Sequence, residues 1–426
     1  MRASRFTSES AGPGQVRALA ERPPDVASTV AALLADVRER GDDAVLELTR
    51  RFDSEGAPAQ MRVPPEQLEA ALAGLDPEVR VGLDTAITNV RRVSEAELSD
   101  DITVQQHEGH TVTLRELPAE RMGVYVPGGR AAYPSSVVMC CEPARVAGVG
   151  QIAVVTPPGS DGKPSDTVLA ACRLCGVDEV HLMGGAQAVA ALAYGTDSVA
   201  PVDVIVGPGN SYVQEAKRQV VGMVGIDSIA GPTELLVVAD ATADPELVAL
   251  DLAAQAEHGP DSIVAVASPD DALLEAVAAA ATRLAAERPT VQDAPLALIR
   301  TPSIEAAIDF ANAFAPEHLE LAVEDVARLA ESVLASGCVF IGGGAAFGDY
   351  AAGSNHVLPT GGAARFSGPL GASTFRRRQA LVSLPESAAR ALAPHVSIVA
   401  RAEGFPVHAE SAEARAGSPR SSGTRN

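Results

Sequence analysis

From residue 122 onward, short apolar segments alternate with helical patterns, and the first four of these segments end in glycine-rich turns. The segments that read as strands are, in chain order, Val124–Val126, Ile152–Val155, Val180–Met183, Val204–Val206, Leu235–Val238, Ile263–Ala267, Leu296–Ile299 and Val339–Ile341. This succession of strand, turn and helix is typical of parallel, doubly wound sheets.

A chain of 426 residues is long enough for two such units. We predict an α/β protein with two doubly wound, incompletely Rossmann-like parallel-sheet domains, an N-terminal helical arm and a C-terminal helical extension. The predicted parts are an arm (1–24), a main α/β domain (25–124 plus 232–369), an inserted α/β domain (125–231) and a C-terminal segment (370–426) with a disordered tail from residue 411. Helices are expected over 26–51, over 65–99 and beyond residue 369, and an antiparallel or edge strand pair over 102–117.

Composition and charge exclude several classes of partner. The formal charge of −22 and the pI near 4.7 argue against nucleic acid or an anionic membrane. No apolar run reaches the ~18 residues that a membrane span needs.

An odd count of five cysteines, without a signal peptide, favours a reducing cytoplasm. The pair Cys172-x-x-Cys175 could be redox-active or half of a metal site, but its apolar, helix-like surroundings favour core packing.

The stretch 251–260 predicts a helix that stops at a Gly-Pro pair. Gln255 and His258 are three residues apart and share one helical face, whereas Glu257 points roughly 100° away from His258. A polar pair beside such a break could hold a metal or a polar ligand. By residue type alone Glu257 is the better zinc ligand, because amides rarely bind zinc.

Three further polar clusters are expected to converge on this helix end: Glu317 with His318, Asp349 with His356, and Glu403 with His408. The first pair could supply acid–base catalysis, because histidine titrates near neutrality and a carboxylate can handle a second proton; alternatively it is a capped loop. The second pair suits zinc or a similar divalent metal. Of the remaining histidines, His107 and His110 are expected at the surface and His181 in the core.

Glycine turns give only a weak nucleotide signal. The sequences Gly207-x-Gly209 and Gly342-x-Gly344 lack a full G-x-G-x-x-G. Glycine turns at the carboxyl ends of parallel strands still favour some anionic ligand.

Seven motifs in one order resemble the histidinol dehydrogenase family over about residues 25 to 410. They are YVPGG (125–129), GGAQA (184–188), GPGN (207–210), AGPTE (230–234), QAEHGPDS (255–262), PEHLE (316–320) and GDYAAGSNHVLPT (348–360).

The resemblance implies oxidation of L-histidinol to L-histidine through L-histidinaldehyde, with two NAD reduced and a zinc that anchors the substrate. It places the zinc ligands at Gln255, His258, Asp349 and His408, the acid–base pair at Glu317 and His318, and the NAD contacts at Tyr125, Gln187 and Asn210. Substrate contacts fall on Thr233, His356 and Glu403, in addition to His318 and the metal ligands. The chain departs from the family in having Thr233 where many members have Ser, and in keeping little of the C-terminal motif beyond the spacing of Glu403 and His408.

The resemblance also implies a cytoplasmic homodimer whose C-terminal segment crosses to the partner subunit, so that active sites are shared. Two other classes are weighed against it. A zinc-dependent hydrolase on an α/β scaffold would share the metal site but form no NADH from histidinol. A non-catalytic small-molecule binding protein should lack the acid–base pair and usually carries an export signal.

Overall fold

The computed structural model describes residues 1–20, 25–128, 131–291 and 293–417. Residues 21–24 of the predicted arm, Gly129 of the YVPGG motif and the tail beyond residue 417 lie outside the described residues. The chain forms two compact units, the first from Met1–Glu97 and Ala119–Phe375, the second from Leu98–Pro118 and Arg376–Asn426. None of the described helices combines the length and apolar character that a membrane span requires.

The elements of the described chain are numbered in chain order. The strands are β1 (Arg2–Thr7), β2 (Ile102–Gln105), β3 (Thr111–Pro118), β4 (Arg121–Tyr125), β5 (Gln151–Thr156), β6 (Glu179–Leu182), β7 (Val204–Val206), β8 (Gly225–Ile226), β9 (Glu234–Ala239), β10 (Ile263–Ser268), β11 (Pro295–Arg300), β12 (His318–Ala322), β13 (Cys338–Ile341) and β14 (Arg376–Ser383). The helices are α1 (Pro13–Arg17), α2 (Ala27–Arg40), α3 (Asp42–Phe52), α4 (Pro65–Ala73), α5 (Pro77–Ala96), α6 (Pro134–Ala147), α7 (Asp166–Leu174), α8 (Gly185–Tyr194), α9 (Ser211–Val220), α10 (Pro245–Ala256), α11 (Asp271–Glu287), α12 (Ile304–Phe314), α13 (Val326–Ala330), α14 (Ala345–Tyr350), α15 (Glu386–Ala402) and α16 (Pro406–Gly417).

The first unit contains a six-stranded parallel sheet in the order β1-β11-β10-β9-β12-β13. Its central strands β9 and β10 are buried along their whole length. Alternate side chains of these strands pack into two separate cores, one under α10 and α11 and the other under α1 and α12. Continuous apolar strands covered on both faces are what a parallel sheet requires. The predicted parallel, doubly wound architecture is therefore confirmed.

The same unit contains a five-stranded parallel sheet in the order β6-β5-β4-β7-β8. The chain runs outward from β4 to β6 and then returns to β7 on the other side, so the strand order reverses between β4 and β7. Helices α2, α3, α8 and α9 cover one face, and α4 to α7 cover the other. Helices of the range 25–124 thus pack on this sheet, which differs from the predicted grouping of that range with 232–369.

Strands β1 and β12 were not predicted. The polar segment of β1 reads as an arm, but it pairs in parallel with β11 as the edge of the six-stranded sheet. The segment of β12 was given no strand, and a capped loop was the alternative for Glu317 and His318, because His318 and Glu320 break its apolar run. Both of these side chains are nevertheless buried. The core assignments of Cys172, Cys175 and His181 are confirmed, since all three are fully buried.

The second unit holds the antiparallel sheet β14-β3-β2, followed by α15 and α16. The predicted strand pair over 102–117 is confirmed as β2 and β3. Strand β14 stands where helices were expected, because its three consecutive arginines hide the β pattern while its backbone pairs with β3. Helix α16 continues to Gly417, so residues 411–417 are helical rather than a disordered tail; an ion pair between Arg401 and Glu413 (2.7 Å) ties it to α15.

Candidate active site

The predicted acid–base pair lies at the amino end of β12. Helix α12 ends at Phe314, and Ala315 adopts a left-handed backbone (φ 48°), the single positive φ among the described residues other than glycine. A non-glycine residue in this region is strained and persists only where its surroundings hold it. The turn delivers Glu317 (7 % exposed) and His318 (2 % exposed) into the protein interior.

Glu317 is held through one carboxylate oxygen. Its Oε2 accepts hydrogen bonds from the Thr233 hydroxyl (2.5 Å) and from the main-chain N–H of Glu234 (2.9 Å). Thr233 and Glu234 lie at the start of β9, the strand that pairs with β12. Because both bonds end on Oε2, Oε1 is the oxygen left to act on a ligand.

His318 lies between two carboxylates. Its Nδ1 faces the main-chain oxygen of Glu234 (3.2 Å), and its Nε2 faces Oδ1 of Asp349 (3.1 Å). Its ring stacks on Phe340, with 5.8 Å between the ring centroids. Burial opposes the charged imidazole, but the carboxylates of Glu317 and Asp349 prevail and raise the pKa of His318 well above its ordinary value.

Asp349 joins the pair to two further histidines. Its main-chain oxygen accepts from Nδ1 of His356 (2.8 Å), whose Nε2 faces the hydroxyl of Ser136 (3.4 Å). Burial opposes ionisation of Asp349, but the hydrogen bond from His318 and the charges of His318, His356 and His258 lower its pKa. Burial lowers the pKa of His356, which therefore favours the neutral ring.

The end of α10 contributes Gln255 and His258. Gln255 is buried (2 % exposed), and its side-chain amide N–H donates to the hydroxyl of Thr233, which itself donates to Glu317. Glu257 is exposed and accepts from Thr290. The structure therefore turns the amide of Gln255, and not the carboxylate of Glu257, toward the acid–base pair, contrary to the preference from residue type alone.

The three residues expected to contact NAD lie at the carboxyl end of the five-stranded sheet. The hydroxyl of Tyr125 accepts from the N–H of Gly185 (3.1 Å), and the amide of Gln187 donates to Asp53 (3.2 Å). Asn210 caps α9 from an exposed position. Burial raises the pKa of Asp53 to about 6, against the hydrogen bonds from Gly184 and Gln187.

Tyr125 is the last residue of β4 and Asn210 follows β7, and the strand order reverses between these two strands. Gly207 starts the loop after β7 with φ +113°, and a Cβ there would lie 2.1 Å from the main-chain oxygen of Tyr125. Only glycine permits this close approach. A reversal of strand order at the carboxyl ends of parallel strands is the usual position of a bound ligand in such sheets.

Glu403 and His408 belong to the second unit. Glu403 follows the last turn of α15, His408 lies in α16 with its ring centroid 5.5 Å from that of Phe405, and both are exposed. In the first unit, the structure brings together the predicted residues Thr233, Gln255, Glu317, His318, Asp349 and His356, with His258 coupled electrostatically to Asp349.

Sequence reasoning missed two groups beside this site. Glu234 touches both members of the acid–base pair through its main chain and is bound by Arg17 from α1. The half-buried Asp251 and the buried Glu320 form a carboxyl pair, and burial together with the charge of Asp251 raises the pKa of Glu320 to about 8. The adjacency of Glu234 to Thr233 in the AGPTE motif is the one sequence signal for the first group; the second has none.

Among the residues that the structure describes, no group of three or more His, Cys, Asp and Glu side chains is arranged to hold a metal ion. Of the predicted ligands in the first unit, only His258 and Asp349 are of these types, and Gln255 would add an amide oxygen. The amide N–H of Gln255 points to Thr233, so its oxygen points away from that hydroxyl.

The sequence profile of the histidinol dehydrogenase family matches residues 17–416. The histidinol dehydrogenase of Pseudomonas savastanoi is 45% identical over 397 residues, which cover 91% of this chain and 88% of that protein. The one from Thermobifida fusca is 45% identical over 405 residues, 92% of each chain. The crystal structure of histidinol dehydrogenase from Elizabethkingia anophelis superposes with a TM-score of 0.89 at 30% identity, covering 97% of this chain and 98% of that one.

The profile match, the sequence relatives and the superposed crystal structure define the class of this protein as an α/β oxidoreductase. The chain belongs to the histidinol dehydrogenase family.

Proposed function

We propose that this chain oxidises L-histidinol to L-histidine by way of L-histidinaldehyde, with two NAD reduced and a zinc that anchors the substrate. The observation that carries the proposal is the position of His318 between Glu317 and Asp349, with Thr233 and Glu234 fixing Glu317. The family membership supplies the substrate, and the geometry supports the division of labour between the side chains.

His318 is the base for the alcohol step. Glu317 and Asp349 favour the charged imidazole, so the base is the neutral form that His318 would take once the carboxylate of Asp349 is engaged by the zinc. In that form Nδ1–H stays on the main-chain oxygen of Glu234, and Nε2 carries the lone pair that takes the hydroxyl proton. Positioned acid–base groups of this kind contribute about 10²- to 10⁴-fold in rate. The same imidazole assists the second oxidation.

Glu317 activates the water that adds to the aldehyde. Its Oε2 is occupied by Thr233 and Glu234, so Oε1 takes the proton of the water. A carboxylate fixed by two donors needs little reorganisation when the reaction begins.

The first-unit donors fit a zinc ion. Gln255 offers an amide oxygen, His258 an imidazole, and Asp349 a carboxylate whose pKa is lowered, despite burial, by His318 and the neighbouring histidines. His408 would complete the set. A bound zinc would supply a fixed point for the imidazole and amine nitrogens of histidinol.

The carboxyl end of the five-stranded sheet suits NAD. Tyr125, Gln187 and Asn210 lie beside the reversal of strand order, and the missing Cβ of Gly207 leaves room for close backbone packing there. NAD would supply the hydride acceptor in both oxidations.

The remaining substrate contacts fall on Thr233, His356 and Glu403. The Thr233 hydroxyl accepts a hydrogen bond from Gln255 and donates one to Glu317, and threonine keeps the hydroxyl group that serine supplies in many members of the family. His356 favours the neutral form, which suits a hydrogen bond to an uncharged nitrogen. Glu403 would pair with the ammonium or imidazole of the substrate.

The active protein is a cytoplasmic homodimer in which His408 and Glu403 serve the partner's site. The second unit exposes large apolar side chains of the kind that subunit interfaces bury: Leu381, Val382, Ile398, Val399, Phe405 and Val407. All five cysteines are free thiols, as a reducing compartment maintains them.

The test is incubation of the purified chain with L-histidinol and NAD, followed by absorbance of NADH. The proposal expects NADH from histidinol and none from amino alcohols without an imidazole. No NADH, together with metal-dependent cleavage of ester or amide substrates, would instead support the zinc hydrolase.

A further inference from the structure

Arg17 connects the first twenty residues to the acid–base site. Its guanidinium makes two hydrogen bonds to the carboxylate of Glu234, from Nε to Oε1 (2.6 Å) and from Nη2 to Oε2 (3.0 Å). Glu234 is 1 % exposed, and its carboxylate needs a cation there, because a buried charge without a partner is strongly unfavourable.

Glu234 in turn holds both members of the pair through its own peptide groups. Its N–H donates to Oε2 of Glu317, and its carbonyl oxygen faces Nδ1 of His318. Without Arg17, the Glu234 carboxylate would be more stable nearer to solvent, where water can hydrate it. A shift of Glu234 in that direction would displace both of these contacts.

Arg17 also fixes the turn that precedes the pair. Nη2 donates to the carbonyl oxygen of Phe314 (2.6 Å), and the guanidinium lies 4.1 Å from the centroid of the Phe314 ring. Phe314 is the last residue of α12, directly before Ala315 with its strained backbone and three residues before Glu317. One side chain thus ties the strained turn to β9, on which Glu317 and His318 rest.

We propose that Arg17 is a positioning residue for the acid–base pair, acting through Glu234 and the end of α12. This inference rests on the proposed function, since it assumes that Glu317 and His318 carry the proton transfers. Arg17 itself touches neither substrate nor cofactor in this account. Its loss should lower kcat by about 10- to 100-fold, because small misplacements of reacting groups cost that much.

The experiment compares Arg17→Ala with Arg5→Ala in the full-length protein. Arg5 is a matched control, because it also makes a two-nitrogen ion pair, with Glu275, but at the exposed edge of the six-stranded sheet. The readouts are kcat and KM for histidinol, bound zinc and the thermal midpoint. Millimolar guanidinium chloride is then added, with sodium chloride and urea as controls. Arg17 is partly exposed, so a small guanidinium ion can reach the vacated position.

The expected result is a lower kcat for Arg17→Ala with KM and bound zinc kept, and partial recovery of kcat by guanidinium alone. Wild-type kcat in Arg17→Ala, or a loss that guanidinium does not restore, overturns the proposal. If Arg17→Ala does not fold, Arg17→Lys takes its place: a folded variant with lower kcat and unchanged KM supports the proposal, and one with wild-type kcat overturns it. Absence of NADH formation in both the wild type and Arg5→Ala is instead a failure of the proposed function.

Discussion

Oδ1 of Asp349 lies 3.1 Å from Nε2 of His318. The two residues come from α14 and β12, and each has a separate proposed task, metal binding for the carboxylate and proton transfer for the imidazole. The Asp349 carboxylate would bind the metal and also contacts the imidazole of His318. Metal binding should therefore change the proton affinity of His318.

Metal removal should abolish turnover, and added zinc should restore it. Gln255 reaches Glu317 through Thr233, and Asp349 contacts His318 and is influenced by the charge of His258. The three would supply an oxygen, a nitrogen and an oxygen donor. The measurement is NADH formation before and after chelation, with elemental analysis of the same samples. Full activity in a preparation shown to be free of metal would refute the assignment.

Substitution Glu317→Gln should impair aldehyde oxidation more than alcohol oxidation. Only the second step needs an activated water, so we expect a loss of about 10²- to 10⁴-fold there. His318→Ala should impair both steps. The two half-reactions are followed separately with histidinol and with histidinaldehyde, and equal losses for Glu317→Gln in both would contradict this division.

Substitution Glu320→Gln should make the free energy of unfolding fall less steeply as the pH rises. Burial, together with the charge of Asp251, raises the pKa of Glu320 from its ordinary 4.5 to about 8. Between these values the folded state binds more protons than the unfolded state, so the free energy of unfolding falls as pH rises. The variant removes this loss and should be more stable than the wild type at the upper end of the window, by about 1–3 kcal/mol.

Urea unfolding across that pH window measures the effect of Glu320→Gln. The matched control is Glu324→Gln, on the same segment but exposed. The same fall of stability with pH in wild type and Glu320→Gln would show that this carboxyl group does not hold a proton in the folded state.

Complementation between His258→Ala and His408→Ala tests the shared site. If His408 serves the partner subunit, one of the two sites in a mixed dimer has both histidines, and refolding a mixture should recover activity. If it serves its own chain, every site in the mixed dimer lacks one ligand. No recovery despite demonstrated subunit exchange would exclude sharing.

Most strands of the parallel sheets could be predicted because they are uninterrupted apolar runs, as in β9, β10 and β11. Strand β12 could not be predicted, because it begins with His318 and contains Glu320. These polar side chains belong to or adjoin the site, and they interrupt the apolar pattern that indicates a buried strand. The proposed acid–base site also lies at the amino ends of β9 and β12. The glycine-rich turns in the sequence instead indicate ligand sites at the carboxyl ends of strands.

The choice between Gln255 and Glu257 shows a second limit of sequence reasoning. Helical spacing places the two residues on different faces, but packing of α10 on the sheet decides which face meets Thr233. Arg17 shows a third, because its partner Glu234 is 217 residues away and no local periodicity marks such a contact.

The most direct test of the account is the amount of NADH formed for each histidinol consumed, with histidinol limiting and histidine quantified in the same reaction. Two oxidations at one acid–base site predict two NADH and one L-histidine for each L-histidinol. One NADH with accumulation of the aldehyde, or no NADH at all, would contradict it.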